Sequence, residues 1–319
     1  MQDSQKMLEA LKLQIQTMYF EHEQDKQTML SNILKIQQQH VNILIVGPTG
    51  VGKSSTINAL FKCDKAVVGR GVDPETMHIA KYELENITFY DSPGLGDGIE
   101  QDNRHAQGIV ELLCKLDVNG EPLIDLVLVL LDGGSRDYGT TYQLLKNVIV
   151  PTLDQERYGR ILVAINQADM AMKGRGWDYV LNSPMPELKE FLDAKVASTA
   201  KRIKESTGVD MTPIYYSAGY QDKSGKQQPY NMAKLLLFIV QHMPKHKRFS
   251  LSGEVRPDPD IYAADENSKG HLEQTKASFL DSLVSAVRNG VSVVADVVTE
   301  VVSNVVSKAV SFFRSLLPW

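Results

Sequence analysis

The sequence predicts an α/β fold, a mostly parallel sheet with helices on both faces, extended by helical segments at its N- and C-terminal ends. Three observations carry this. Short, β-branched apolar runs recur at 41–46, 87–90, 126–131, 161–165 and 213–216. Helical patterns separate them at 104–116, 142–150 and 187–205, and a last one follows at 232–242. The first run ends directly in a glycine-rich turn. Strands buried on both faces read as near-continuous apolar runs, and strands alternating with helices imply a parallel sheet covered on both sides.

The remaining elements follow in order. At 319 residues the chain exceeds one average domain, so a main domain with flanking segments is expected. Residues 1–40 carry Leu8, Leu11, Ile15, Met18, Ile33 and Ile36 at helical spacing among Gln, Glu and Lys, which predicts N-terminal amphipathic helices. Acids and glutamines throughout the first thirty residues do not read as a secretory signal. The alternating pattern fills 41–245. Residues 246–278 are polar, rich in Asp and Pro and without a sustained period, which predicts a linker or mobile loop. From 279 to 319 apolar pairs such as Val293-Val294, Val297-Val298 and Val301-Val302 recur nearly every four residues, predicting a C-terminal amphipathic helix. Two environments suit it. It packs against the N-terminal helices, or it lies in a membrane interface with Phe312, Phe313 and Trp319 inserted beside Lys308 and Arg314. No uncharged apolar run reaches the ~18 residues of a membrane span.

Composition excludes several classes. With 43% hydrophobic and 23% charged residues the chain is neither fibrous, collagen-like nor fully disordered. Its 34 basic and 39 acidic residues give a net charge of -5, so any contact with a nucleic-acid backbone or anionic membrane has to be local. Cys63 and Cys114 are the only cysteines, too few for a disulfide framework or a four-cysteine zinc site, and they fit a reducing compartment.

The chemistry concentrates at strand ends. Gly47, Pro48, Thr49, Gly50, Val51, Gly52, Lys53 and Ser54 match the phosphate-loop pattern GxxxxGK[ST] between a strand and a helix that continues through Ser55, the context this pattern needs. Its glycines let backbone N–H groups close round a β-phosphate, Lys53 brings a cation to the β- and γ-phosphates, and Ser54 offers a hydroxyl to Mg²⁺. Asp91-Ser92-Pro93-Gly94 follows the strand 87–90, where Asp91 is placed to hold Mg²⁺ through water and the Gly94 N–H to sense a γ-phosphate. Between these motifs, Thr76 in the stretch 69–76 is the candidate second hydroxyl ligand, ordered while the γ-phosphate is present. Thr56 lies too close to the phosphate loop, and Thr88 lies within a strand.

Asn166, Gln167, Ala168 and Asp169 end the strand 161–165 and resemble the guanine-reading NKxD motif of GTPases. A carboxylate at Asp169 can accept from guanine N1–H and the exocyclic amine, which adenine cannot supply, and a site built on such a pattern rejects the wrong partner by ~10⁴-fold or more. Ser217 and Ala218 match the short SA motif that supports the guanine carbonyl.

These motifs, in this order, resemble the TRAFAC class of P-loop GTPases. The stretch from Gly47 to Phe61 is very similar to Era-like and immunity-related GTPase phosphate loops, and NQAD together with the 131–137 stretch is reminiscent of the bacterial YfjP and YeeP type. The resemblance implies a P-loop NTPase G domain binding GTP or GDP with Mg²⁺ and hydrolysing GTP in the bacterial cytoplasm. Two departures affect mechanism. Leu95 stands where many small GTPases carry a water-orienting glutamine, and Gly50 where potassium-activated relatives carry an asparagine. Turnover without help is therefore expected to be slow, on the order of 10⁻⁴ to 10⁻² s⁻¹. Compensation comes from a partner or a second copy across the nucleotide face, or in cis from Arg70 or Arg136. Peripheral membrane contact through 279–319 is a further expectation. Ribosome or RNA association follows only by analogy with Era, since no RNA-binding signature or extended basic run is present, and no DNA contact is expected.

Overall fold

The computed structural model describes residues 3–20, 22–62, 68–69, 79–93, 99–221 and 227–291. Two helices, α1 (Asp3–Thr17) and α2 (Glu23–Gln38), lead into β1 (Val41–Val46) and α3 (Lys53–Leu60). Then come β2 (Val68–Gly69), β3 (Ala80–Glu83), β4 (Ile87–Asp91), α4 (Ile99–Cys114) and β5 (Leu126–Asp132). Next are α5 (Gly139–Leu144), a π turn over Leu145–Ile149, α6 (Val150–Thr152) and β6 (Ile161–Asn166). A small ribbon of β7 (Trp177–Asp178) and β8 (Ser183–Pro184) precedes α7 (Pro186–Thr207), β9 (Ile214–Tyr215), β10 (Ser217–Gln221) and β11 (Gln227–Tyr230). The described chain closes with α8 (Met232–His242), α9 (Arg248–Leu251), α10 (Asp260–Ala263) and α11 (Ser268–Arg288).

The main sheet has seven strands in the order β2-β3-β4-β1-β5-β6-β9. From β4 to β9 every pairing is parallel, while β2 and β3 form an antiparallel edge. Because side chains alternate along a strand, each strand feeds two cores. Ile43, Ile45, Leu126, Leu128 and Leu162 face the layer that contains α1, α2, α3, α8 and α11. Leu44, Val46, Val127, Val129 and Val163 face α4, α5 and α7. Every residue of β1 and β6 is buried, which explains their mostly apolar sequences; the polar exceptions, Asn42 and Asn166, are hydrogen-bonded, the Asn42 N–H to Asp125 Oδ2 at 2.9 Å and the Asn166 side chain to the Val51 carbonyl at 2.8 Å. The phosphate loop and the NQAD loop both leave the C-terminal edge of this sheet, the crevice where open α/β sheets place ligands.

The expectation for 246–278 is overturned. Residues 248–251 and 260–263 are short helices, and α11 starts at Ser268. Phe249, Leu251, Val255, Tyr262 and Leu272 are all buried. Their irregular spacing hides them from a period test. The polar residues between them are used as hydrogen-bonding groups: Glu254 Oε1 accepts from the Asn86 backbone N–H at 3.0 Å, Asp265 Oδ2 from the Lys234 N–H at 2.9 Å, and the Tyr262 hydroxyl donates to the Arg256 carbonyl at 2.9 Å. The segment is packed structure, not a linker.

The C-terminal helix likewise begins at 268 rather than 279, with Leu272, Phe279, Leu283 and Val287 buried along one stripe. Buried Asn32 on α2 donates from Nδ2 to the carbonyls of Val287 and Asn289, at 3.1 and 2.7 Å, satisfying the end of α11. The N-terminal helices and 268–288 thus share one core with the sheet. The apolar pairs from Val293 onward lie outside the described residues. Among the described residues no helix is long and apolar enough to cross a membrane.

Candidate functional site

The turn between β1 and α3 is built on glycines that accept a backbone other residues avoid. Gly50 and Gly52 have φ of 79° and 89°, a left-handed region that penalises a Cβ. At Gly52 the need is double, since a Cβ there would lie 2.4 Å from Asn166 Nδ2. Lys53 curls back over the loop, its ammonium donating to the carbonyls of Gly47 at 3.1 Å and Pro48 at 3.4 Å. It also stands 3.8 Å from Asp91 Oδ1. Burial lowers the Lys53 pKa, with Asp91 opposing the shift. Burial likewise raises that of Asp91 and Lys53 pulls it back down. Each charge is thus held in a partly dry site facing its opposite.

Asp91 Oδ1 is buried without a hydrogen-bond partner, and Ser54 lies exposed in the first turn of α3. An unsatisfied carboxylate oxygen and an open hydroxyl suit a hard cation that takes oxygen ligands and completes its shell with phosphates and water, as Mg²⁺ does. Among the described residues no group of three or more His, Cys, Asp or Glu could hold a metal by itself.

The base side is organised round Asn166. Its side chain, 1% exposed, donates from Nδ2 to the Val51 carbonyl at 2.8 Å and accepts at Oδ1 from the Ala218 N–H at 2.9 Å. One carboxamide therefore ties the phosphate loop, the NQAD loop and the SA strand together. Gln167, at φ 59°, donates from Nε2 to the Gly50 carbonyl at 2.9 Å, so the residue in the lysine position also bridges to the phosphate loop. Asp169 is oriented by the Ser217 hydroxyl, which donates to Oδ1 at 2.5 Å. Beneath them the Tyr216 and Thr56 hydroxyls share a buried hydrogen bond of 2.7 Å, fixing α3 to the strand that carries Ser217.

The structure thus brings Gly47, Pro48, Thr49, Gly50, Val51, Gly52, Lys53, Ser54, Ser55, Asp91, Asn166, Gln167, Asp169, Ser217 and Ala218 to one edge of the sheet. Thr76, Gly94, Leu95 and Arg70 lie outside the described residues. Arg136 is exposed in the loop after β5. Sequence reasoning missed the role of that loop as a wall: Asp132, Ser135 and Tyr138 line a cavity of about 200 Å³ with Gly47, Pro48 and Thr49. The available signal was an Asp-Gly-Gly turn at the C-terminal end of a buried strand.

Residues 42–167 match the family described as 50S ribosome-binding GTPase. The fold is that of a P-loop GTPase G domain. Among curated proteins, the chain is 34% identical over 103 residues to translocase of chloroplast 126 of Physcomitrium patens, covering 30% of this chain and 9% of that one. It is 31% identical over 147 residues to the uncharacterized protein YkfA of Escherichia coli K12, covering 45% and 47% of the two chains. The match therefore spans about a tenth of the moss translocase and about half of the bacterial protein. Among solved structures, Toc33 from Arabidopsis thaliana in complex with GDP and Mg²⁺ is similar at 16% identity and TM-score 0.40, over 64% of this chain and 84% of that one. The bacterial dynamin GTPase LeoA is similar at 15% identity and TM-score 0.42, over 95% and 46%.

Proposed function

We propose that the chain binds guanine nucleotide with Mg²⁺, hydrolyses GTP slowly and acts as a nucleotide-dependent switch in the bacterial cytoplasm. The observation that supports this is the Asn166 hub, because its bonds to Val51 and Ala218, with the Ser217–Asp169 bond beside them, tie the Asp169 carboxylate and the glycine-rich loop into one frame. In this reading the loop amides and Lys53 bind the phosphates, and Asp169 selects guanine. Ser54, Asp91 through water, and Thr76 would hold Mg²⁺, which when bound neutralises charge developing on the phosphoryl group. Gly94 would report the γ-phosphate to the segment that follows it.

With Leu95 in place of a glutamine, this chain offers no carboxamide at that position to orient water. Arg136, or groups from a second copy or partner across the nucleotide face, would supply the missing stabilisation. The test is GTP turnover against protein concentration. A specific rate that rises with concentration supports self-activation; absence of GTP hydrolysis at every concentration refutes the enzymatic part.

The apolar pairs beyond residue 291 favour a second reading, a GTP-dependent membrane or assembly module. Since Phe279, Leu283 and Val287 belong to the core, the effector in that reading is confined to 292–319. Liposome flotation of the full chain and of a chain lacking 292–319 decides it, and no lipid binding in any nucleotide state would remove the membrane version.

A further inference from the structure

Helix α7 turns Leu188, Leu192, Thr199 and Ile203 inward, and Lys195 occupies the same stripe. A lysine there is an exception to the pattern, and Lys195 is half-buried, where an ammonium that loses water is costly unless its hydrogen bonds are made. Here they are made to one loop. Lys195 Nζ donates to the carbonyls of Gly133 and Ser135, both at 2.6 Å, and lies 5.2 Å from the centre of the Tyr138 ring. The loop is anchored at other points as well. The Gly133 N–H donates to the Asn166 carbonyl at 2.7 Å, and the Tyr138 hydroxyl donates to the Asp132 carbonyl at 2.7 Å. Gly133 sits so close to β6 that a Cβ would lie 2.7 Å from the Gln167 carbonyl. This is the loop that walls the cavity beside Gly47, Pro48 and Thr49.

We propose that Lys195 is a positioning residue for GTP hydrolysis: by gripping the carbonyls at 133 and 135 it fixes the wall beside the phosphate loop and the direction in which Arg136 leaves it. The assignment rests on the GTPase reading above. Lys195 Nζ bonds to the Gly133 and Ser135 carbonyls and not to the Lys53, Asn166 or Asp169 side chains, so it reaches the site through this loop and its effect falls more on catalytic geometry than on nucleotide retention. Misplacing a group by about 1 Å costs up to about 10²-fold in rate.

The experiment compares full-length wild type, Lys195→Met and Lys195→Arg by GTP turnover, GDP calorimetry and thermal unfolding. The assignment predicts that Lys195→Met lowers kcat by about 10- to 100-fold, while KM and GDP affinity stay within about twofold and Lys195→Arg recovers much of the rate. Should Lys195→Met not fold, Lys195→Gln, which keeps one donor, is read in the same way. An unchanged kcat in the variants overturns the assignment alone. So does a fall in kcat that tracks a matching loss of GDP affinity and thermal stability, since that marks a structural role. Wild type that binds GDP without turning over GTP overturns the hydrolytic reading and this assignment with it.

Discussion

Gly52 and Gly208 share a left-handed backbone, with φ of 89° and 77°, but differ in what surrounds them. A Cβ at Gly52 would lie 2.4 Å from Asn166 Nδ2, whereas at Gly208, just after α7, it would meet nothing within 4 Å. Comparing Gly52→Ala with Gly208→Ala therefore separates backbone strain from collision. An L-residue held in this region costs about 1–2 kcal/mol, and that is the whole expected loss for Gly208→Ala. Gly52→Ala adds displacement of the Asn166 amide from the Val51 carbonyl it reaches at 2.8 Å. A buried donor left unpaired costs a further ~1–3 kcal/mol, for a total near 2–5 kcal/mol. Because Asn166 joins the phosphate and base loops, the second part should appear in binding, as a GDP affinity about 5- to 150-fold weaker. Urea unfolding reads the stability and calorimetry reads the affinity. If Gly52→Ala matched Gly208→Ala in both, the hub would be a passive contact and the reasoning would fail.

Lys53→Ala removes the loop cation proposed to meet the phosphates and should weaken GTP binding by about 100-fold or more; undiminished affinity by calorimetry would count against the phosphate cradle. Asp169→Asn should shift preference from GTP toward xanthosine triphosphate, measured as the ratio of the two affinities, and an unaltered ratio would displace Asp169 as base reader. Acid stability offers a third check, at Glu266. Burial alone would raise its pKa, but hydrogen bonds from Lys234 and Tyr215, with the charges of Lys234 and Lys189, hold it down at about 2. A depressed carboxylate stabilises the fold above its ordinary 4.5 and loses that contribution as pH falls from 4.5 toward about 2. Glu266→Gln should therefore flatten the urea midpoint across this window, and a variant as acid-sensitive as wild type would rule the cluster out as a cause.

What the sequence disclosed depended on whether a feature is local. The strands β1, β4, β5 and β6 were legible because burial on both faces leaves them almost wholly apolar, with Asn42 and Thr88 the polar residues inside the runs. Strand β3, Ala-Lys-Tyr-Glu, next to the short edge strand β2 and only partly buried, carried no such mark. The phosphate and base motifs were legible because each is contiguous and sits at a strand end. Their joining was not, since Asn166 meets Val51 across 115 positions. The same holds for Lys195, whose carbonyl partners lie about sixty positions away. The segment after Pro244 misled for a different reason: polar composition signals a loop only when the polar groups face water, and here Glu254 and Asp265 are satisfied by backbone N–H groups.

Calorimetry of the full-length chain with GDP and with ADP, each in the presence of Mg²⁺, tests the central claim most directly. One GDP bound per chain, with ADP weaker by about 10⁴-fold or more, is the predicted result. No GDP uptake, or equal affinity for the two diphosphates, would contradict it.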